Sequence, residues 1–191
     1  MPNFPPFKDI RGPAVNGLRA RFCPVLRPRT IDEREIRDWF NPKIHALRDK
    51  YSKVSSDTLE WCVVAATSQK KVPKAVMRNR LRRRWANAFA DSLRSNGFHF
   101  NGRSQAGPKD GTDARPGLTG TLELCVYSPN GLTVPYHELL RSTNMIVKTL
   151  KQASRRPSQV PRPAPVRFWT EKSRDEAKPA SKTAWSFVHG Y

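Results

Sequence analysis

Between Lys70 and Arg84 the chain reads KKVPKAVMRNRLRRR, and from Lys70 to Asn96 the only acid is Asp91. Arginine clustered in this way suits one kind of chemistry. Its planar guanidinium makes paired hydrogen bonds to phosphate oxygens and stacks on unpaired bases, so several arginines on one face make a surface for nucleic-acid backbone. Asn79, set between Arg78 and Arg80, both donates and accepts, which fits sugar and phosphate groups alike. Lys70, Lys71 and Lys74 lie just before and at the expected start of a helix, where free backbone N–H groups already favour anions. A solvated helix face normally interleaves Glu with Lys and Arg; this one does not.

The whole chain carries a formal charge of +19 over 191 residues, which attracts a polyanion at long range and releases its counterions on contact. The densest block, residues 61–96, holds nine basic residues against Asp91. Other chemistries find little support. His45, His99, His137 and His189 are scattered without paired carboxylates, and Cys23, Cys62 and Cys125 are odd in number with no CxxC pair. A metal-dependent hydrolase, a zinc site and a disulfide framework are therefore not expected, and the thiols fit a reducing compartment. No stretch has the apolar length of a membrane span and the N-terminus lacks a secretory apolar core, so neither a membrane nor secretion is expected. Arg11, Arg19, Arg21, Arg27 and Arg29 give the first thirty residues the charge bias of an organelle transit peptide, here a mitochondrial one. Serine is absent there, and Pro2, Pro5, Pro6, Pro13, Pro24 and Pro28 interrupt the amphipathic helix such peptides form.

The elements that position the basic run follow from periodicity. Residues 58–68, TLEWCVVAATS, form a nearly continuous apolar run, which predicts a central strand covered on both faces. Pro73 suits the first turn of the next helix. Met77, Leu81, Trp85, Ala88, Phe89 and Leu93 recur at helical spacing and form an apolar stripe, with Asn79, Arg80, Arg83, Arg84 and Asn87 opposite. Asn96-Gly97 closes that helix. Leu122 to Tyr127 predicts a second strand, and residues 135–152 a last helix with Leu139, Leu140, Ile146, Val147 and Leu150 on its apolar face. Upstream, residues 17–26 predict a short strand that Pro24 confines to an edge or bulge. Thr30 and Glu33 predict a capped helix to Phe40, and Asn41-Pro42 separates it from a helix carrying Ile44, Leu47 and Tyr51. The expected organisation is an irregular basic lead-in over 1–16, one RNA-binding domain over 17–152 with a flexible insertion at 97–120 that holds no core residues, and a disordered basic tail over 153–191. The tail's Phe168, Trp169, Trp185, Phe187 and Tyr191 are candidates for docking on bases or a partner.

The run AATSQKKVPKAVMRNRLRRRW, Ala65 to Trp85, resembles the signature of the bacterial-type ribonuclease P protein subunit, where a strand leads into a K-K-V-x-K-A-V-x-R-N-R-x-K/R-R helix. Arg78, Asn79 and Arg80 reproduce its R-N-R core. The strand at 121–127 and the helix at 135–152 fall where that family places its last strand and helix. The chain departs from the pattern at Pro73, where the family has Gly, and at Ala86-Asn87, where it has Arg-Glu. The family's early strands, with their leader-contacting aromatics, are not recognisable, so the resemblance assigns no cleft residues. It implies an α/β fold, a small α-β sandwich with a left-handed βαβ crossover carrying the basic helix. It also implies a non-catalytic protein cofactor of a ribozyme, partnered by ribonuclease P RNA and precursor tRNA, in which the RNA and its Mg2+ ions cut the phosphodiester. No cofactor bound by protein residues alone and no small-molecule substrate are implied. Carried over position by position, the RNA-binding set is Lys70, Lys71, Lys74, Arg78, Asn79, Arg80, Arg82 and Arg83.

Two other binding readings share the basic helix. A structural component of another ribonucleoprotein, such as an organellar ribosome, would use the same surface on ribosomal RNA. A DNA-binding basic region would continue into heptads with a dimer seam, whereas this helix stops at Asn96-Gly97.

Overall fold

A computed structural model of the chain describes residues 5–10, 17–65, 71–105 and 117–155. Its centre is a four-stranded mixed sheet in the order β1-β2-β4-β3. The strands are β1 (Lys8–Ile10), β2 (Leu18–Cys23), β3 (Leu59–Ala65) and β4 (Gly120–Val126). The helices are α1 (Thr30–Arg37), α2 (Ile44–Lys53), α3 (Ala75–Ser95) and α4 (Tyr136–Arg155), with a 3-10 turn at Pro129–Leu132 before the last. β1 and β4 each pair antiparallel with β2, while β3 and β4 run parallel and are joined through α3. This is the small α/β fold expected, with the basic helix on the crossover.

Strand side chains alternate between faces, and the two faces of this sheet meet different partners. On one, Ala20, Leu59, Val63, Leu122, Leu124 and Val126 join Leu81, Trp85, Ala88, Phe89 and Leu93 of α3 and Leu139, Ile146, Val147 and Leu150 of α4 in one buried cluster. Inside this apolar contact α3 and α4 share a polar one. The buried Thr143 hydroxyl lies 2.5 Å from Ser92 Oγ and 3.1 Å from the carbonyl oxygen of Ala88. On the other face, side chains of β4 hold the start of α1 and the segment leading into it, and α2 is tied to α1 through Tyr51 and Asp32. Thr121 Oγ1 accepts from the Arg27 N–H and donates to the Arg27 carbonyl, both at 3.0 Å. The buried carboxylate of Glu123 pairs with Arg21 and accepts from Thr30 N–H at 2.5 Å and Thr30 Oγ1 at 2.9 Å. A carboxylate at the first turn of a helix also complements its dipole.

Several expectations are corrected. β3 lies at the sheet edge, and β4, buried at all seven positions, is the inner member of the parallel pair. The apolar run of β3 packs on α3 through Leu59 and Val63, while Glu60, Cys62 and Val64 on the other face are only half-buried, so the expected cover on both faces is incomplete. Part of its outer edge is also covered, since Leu59 N–H donates to the Asn101 carbonyl at 2.8 Å and Trp61 Nε1 to that of Phe100 at 2.9 Å. β2 is not an edge strand but lies between β1 and β4 and ends before Pro24. β1 falls within the stretch expected to be irregular. α1 ends at Arg37 rather than Phe40, and the Thr30–Glu33 capping box does not form. Thr30 is drawn to Glu123, while Glu33 pairs with Arg27 and, at 2.6 Å, with Arg37.

The 97–120 segment contributes to the core at both ends, through buried Phe98 and Leu118. The turn after α3 explains the first. Gly97 adopts φ +81°, its N–H donates to the Arg94 carbonyl at 3.0 Å, and Phe98 N–H donates to that of Leu93 at 3.0 Å, a Schellman closure that turns Phe98 inward. Leu118 N–H donates to the Gly102 carbonyl at 2.8 Å. Residues 106–116 of the expected insertion lie outside the described residues. α4 runs on to Arg155, past the expected boundary at Ala153, and the rest of the expected tail with its five aromatics lies outside the described residues.

Candidate nucleic-acid interface

α3 starts at Ala75, with Lys74 as its N-cap in extended conformation, so Pro73 precedes the helix instead of opening it. Leu81, Trp85, Ala88, Phe89 and Leu93 are buried as the stripe requires, whereas Met77 at the N-terminal end is 36% exposed. Anchoring this stripe on the sheet orients every arginine between Arg78 and Arg84, and neighbours decide what each one does.

Two of these arginines are bound to the protein itself. Arg78 is half-buried and its guanidinium donates to the carbonyls of Val72 and Pro73, each at 2.7 Å, which folds the lead-in segment against the first turn of α3. Arg84 donates to the carbonyls of Gly131 at 2.9 Å, Val134 at 2.7 Å and also Leu132, tying α3 to the turn ahead of α4. Arg80, Arg82, Arg83 and Asn79 are exposed. Lys71 and Lys74 are exposed ahead of the helix, and Lys70 lies outside the described residues.

The exposed groups divide between two surfaces. Val76, Asn79, Arg80, Arg83, Arg84 and Asn87 line a shallow hollow of about 460 Å³ on the outward face of α3, Arg84 with its guanidinium already engaged. Arg78, Asn79 and Arg82 form one wall of a groove of about 400 Å³, whose floor is the stretch of β3 from Cys62 to Ala65 and whose opposite wall is Arg29, Ile31 and Asp32 at the start of α1. Asn79 belongs to both surfaces. The contribution of α1 is not visible in the sequence, because nothing local to Arg29 or Ile31 signals that α1 folds over the sheet towards α3.

The groove is positive despite two carboxylates in its lining. Glu123 is taken up by Arg21 and Thr30. Asp32 accepts from Tyr51 Oη at 2.5 Å, Arg29 Nε at 2.9 Å and Lys50 Nζ at 3.3 Å. Burial pushes the Asp32 carboxyl up, but those partners more than offset it and hold the group below its ordinary value. Burial, reinforced by the charge of Glu123, pushes the Cys62 thiol up to about 12, so the floor presents a neutral thiol among aliphatic side chains. Arg82 and Asn79 on one wall, with the opposite wall's Arg29 balanced by Asp32 and a neutral thiol and aliphatic groups on the floor, can hold and orient an anionic chain.

Among the described residues no group of three or more His, Cys, Asp or Glu is arranged to hold a metal ion. Nor is any of their helices long and apolar enough to cross a membrane. Comparison with protein-family models, with curated proteins and with solved structures gave no match to this chain.

Proposed function

We propose that the chain is the RNA-binding protein subunit of a ribonuclease P-like ribonucleoprotein and assists 5′ leader removal from precursor tRNA. The observation that carries this reading is the pairing of two surfaces on one helix: an outward arginine face at Arg80 and Arg83, and a groove between α3 and β3 reached by Arg82 and Asn79. An outward face of this kind suits the backbone of a folded RNA. A groove floored by a sheet suits an unpaired strand, which presents phosphates and flat bases together. The presence of a groove beside the arginine face supports this reading over a structural component of another ribonucleoprotein, which has need only of the outward face. In this reading the catalytic RNA and its Mg2+ ions carry the cleavage. The protein binds, neutralises phosphate charge and orients the leader, and the left-handed crossover and the mitochondrial location belong to the same proposal.

The test is to purify the tagged full chain from its own cells and sequence the RNA that accompanies it. Enrichment of a ribonuclease P RNA, or of tRNA precursors with intact 5′ leaders, is the expected result. Enrichment of ribosomal RNA alone would replace the processing role with a structural one.

A further inference from the structure

The turn between α1 and α2 exposes two large aromatic side chains, Trp39 at 64% and Phe40 at 97%. Local bonding fixes the backbone that carries them. Phe40 N–H donates to Asp38 Oδ1 at 3.1 Å and Asn41 N–H to the Asp38 carbonyl at 3.0 Å. Lys43 N–H donates to Asn41 Oδ1 at 2.9 Å and Ile44 N–H to the Asn41 carbonyl at 3.1 Å. The guanidinium of Arg48 lies 5.2 Å from the centre of the Trp39 ring, which steadies the indole while leaving most of it in solvent. Rings held out on a fixed turn lose little freedom when something stacks on them.

The surrounding charge indicates what that is. Arg34 and Lys43 are exposed beside the turn and neither forms an ion pair among the described residues, while Arg37, also exposed, is paired with Glu33. The nearby acids are Asp38, whose charged and exposed carboxylate accepts from the Phe40 N–H, half-buried Glu35, and exposed Asp49 on α2. The chain as a whole carries +19. The turn lies one short helix away from the groove. Ile31, in the groove wall and 54% exposed, lies three residues before Arg34 and so on the same side of α1, and eight helical residues span only about 12 Å.

We infer that Trp39 and Phe40 form a stacking platform for unpaired RNA bases, reached from the groove along the Ile31–Arg34 side of α1; this rests on the RNA-binding reading above. Aromatic faces stack on any base, so the platform strengthens binding to single strands without reading their sequence, and an RNA duplex, whose bases are already stacked, gains nothing from it.

The test uses the full chain and two probes, a 12-nucleotide oligouridine and a blunt RNA duplex. The double variant Trp39→Ser/Phe40→Ser, checked for an unchanged Tm, is expected to bind oligouridine about tenfold or more weakly and the duplex as before. Trp39→Phe, which keeps a flat ring, should restore most of the affinity. Arg80→Ala/Arg83→Ala should weaken both probes, which separates the platform from the helix. Unchanged oligouridine affinity in the folded double variant overturns the platform alone, as does an equal loss for both probes. A wild-type dimer that dissociates in the double variant, with RNA affinities unchanged, would assign the turn to a second copy of the chain and overturn it too. A wild-type chain that binds neither probe overturns the platform and the RNA reading together.

Discussion

Replacing Arg84 with alanine separates a packing arginine from the solvent-facing ones beside it. Its guanidinium donates to the carbonyls of Gly131, Leu132 and Val134, and so joins the middle of α3 to the turn that starts α4. A hydrogen bond to a charged group contributes about 1.5–3 kcal/mol, but these three share one half-buried cation, and their acceptors regain water when it is removed. The expected loss is about 2–4 kcal/mol rather than the sum of three bonds, which lowers Tm by roughly 10 °C in a domain of this size. Arg83, one residue earlier, is exposed, and Arg83→Ala should change stability by no more than about 0.5 kcal/mol. Urea unfolding followed by far-UV circular dichroism reads both, as a shift of midpoint at constant slope. The folded variants are then titrated with structured RNA. Arg84→Ala should keep most of the wild-type affinity, since its donors are spent on carbonyls, and Arg83→Ala should lose more of it. Equal stability of the two variants, or an RNA defect confined to Arg84→Ala, would refute the division of labour along this helix.

Three further outcomes follow from the packing. Asp32, whose carboxyl is held below its ordinary value of 3.8, contributes stability that is complete above that value and declines as pH falls through the lower folded one; Asp32→Asn should therefore be less stable at pH 7 and show a flatter stability profile below about pH 4, read by acid titration of the circular dichroism signal. Thr143→Val removes the hydroxyl that bridges Ser92 and the Ala88 carbonyl between α3 and α4 without changing shape, and should cost about 1–2 kcal/mol in the same urea assay. Gly97 and Gly120 both have positive φ, but a Cβ at Gly97 meets nothing within 4 Å while one at Gly120 collides with the Cys23 carbonyl. Gly97→Ala should accordingly cost about 1 kcal/mol and Gly120→Ala clearly more, as the ratio of their midpoint shifts will show.

What could be read from the sequence was local. The stripe from Leu81 to Leu93 follows from helical spacing, and its burial set which way the arginines face. The strands β3 and β4 and the helix α4 declared themselves by short apolar patterns for the same reason. Pairings that join distant segments were out of reach. β1 is three residues long and becomes a strand only by pairing with β2, and β2 reads as an edge until Leu122 to Val126 are known to lie beside it. Thr30 and Glu33 have the types and spacing of a capping box, yet Glu123 offers Thr30 a buried carboxylate from the far side of the chain and prevails. Within the basic run a helical wheel gives direction but not neighbours. It does not reveal that Arg78 turns back on Val72 and Pro73, that Arg84 is spent on the turn before α4, or that Arg29 and Ile31 supply the second wall of the groove.

The central claim is that the exposed arginines of α3 bind RNA backbone, and the salt dependence of affinity tests it most directly. Binding of a structured RNA is measured across a range of KCl concentrations for the wild type and for Arg80→Ala/Arg82→Ala/Arg83→Ala, all three side chains being exposed and free of packing roles. Each lost phosphate contact reduces the slope of log affinity against log salt by about 0.7–0.9, so the account predicts a slope shallower by about two to three, with an unchanged unfolding midpoint. A folded triple variant with the wild-type slope and affinity would contradict it.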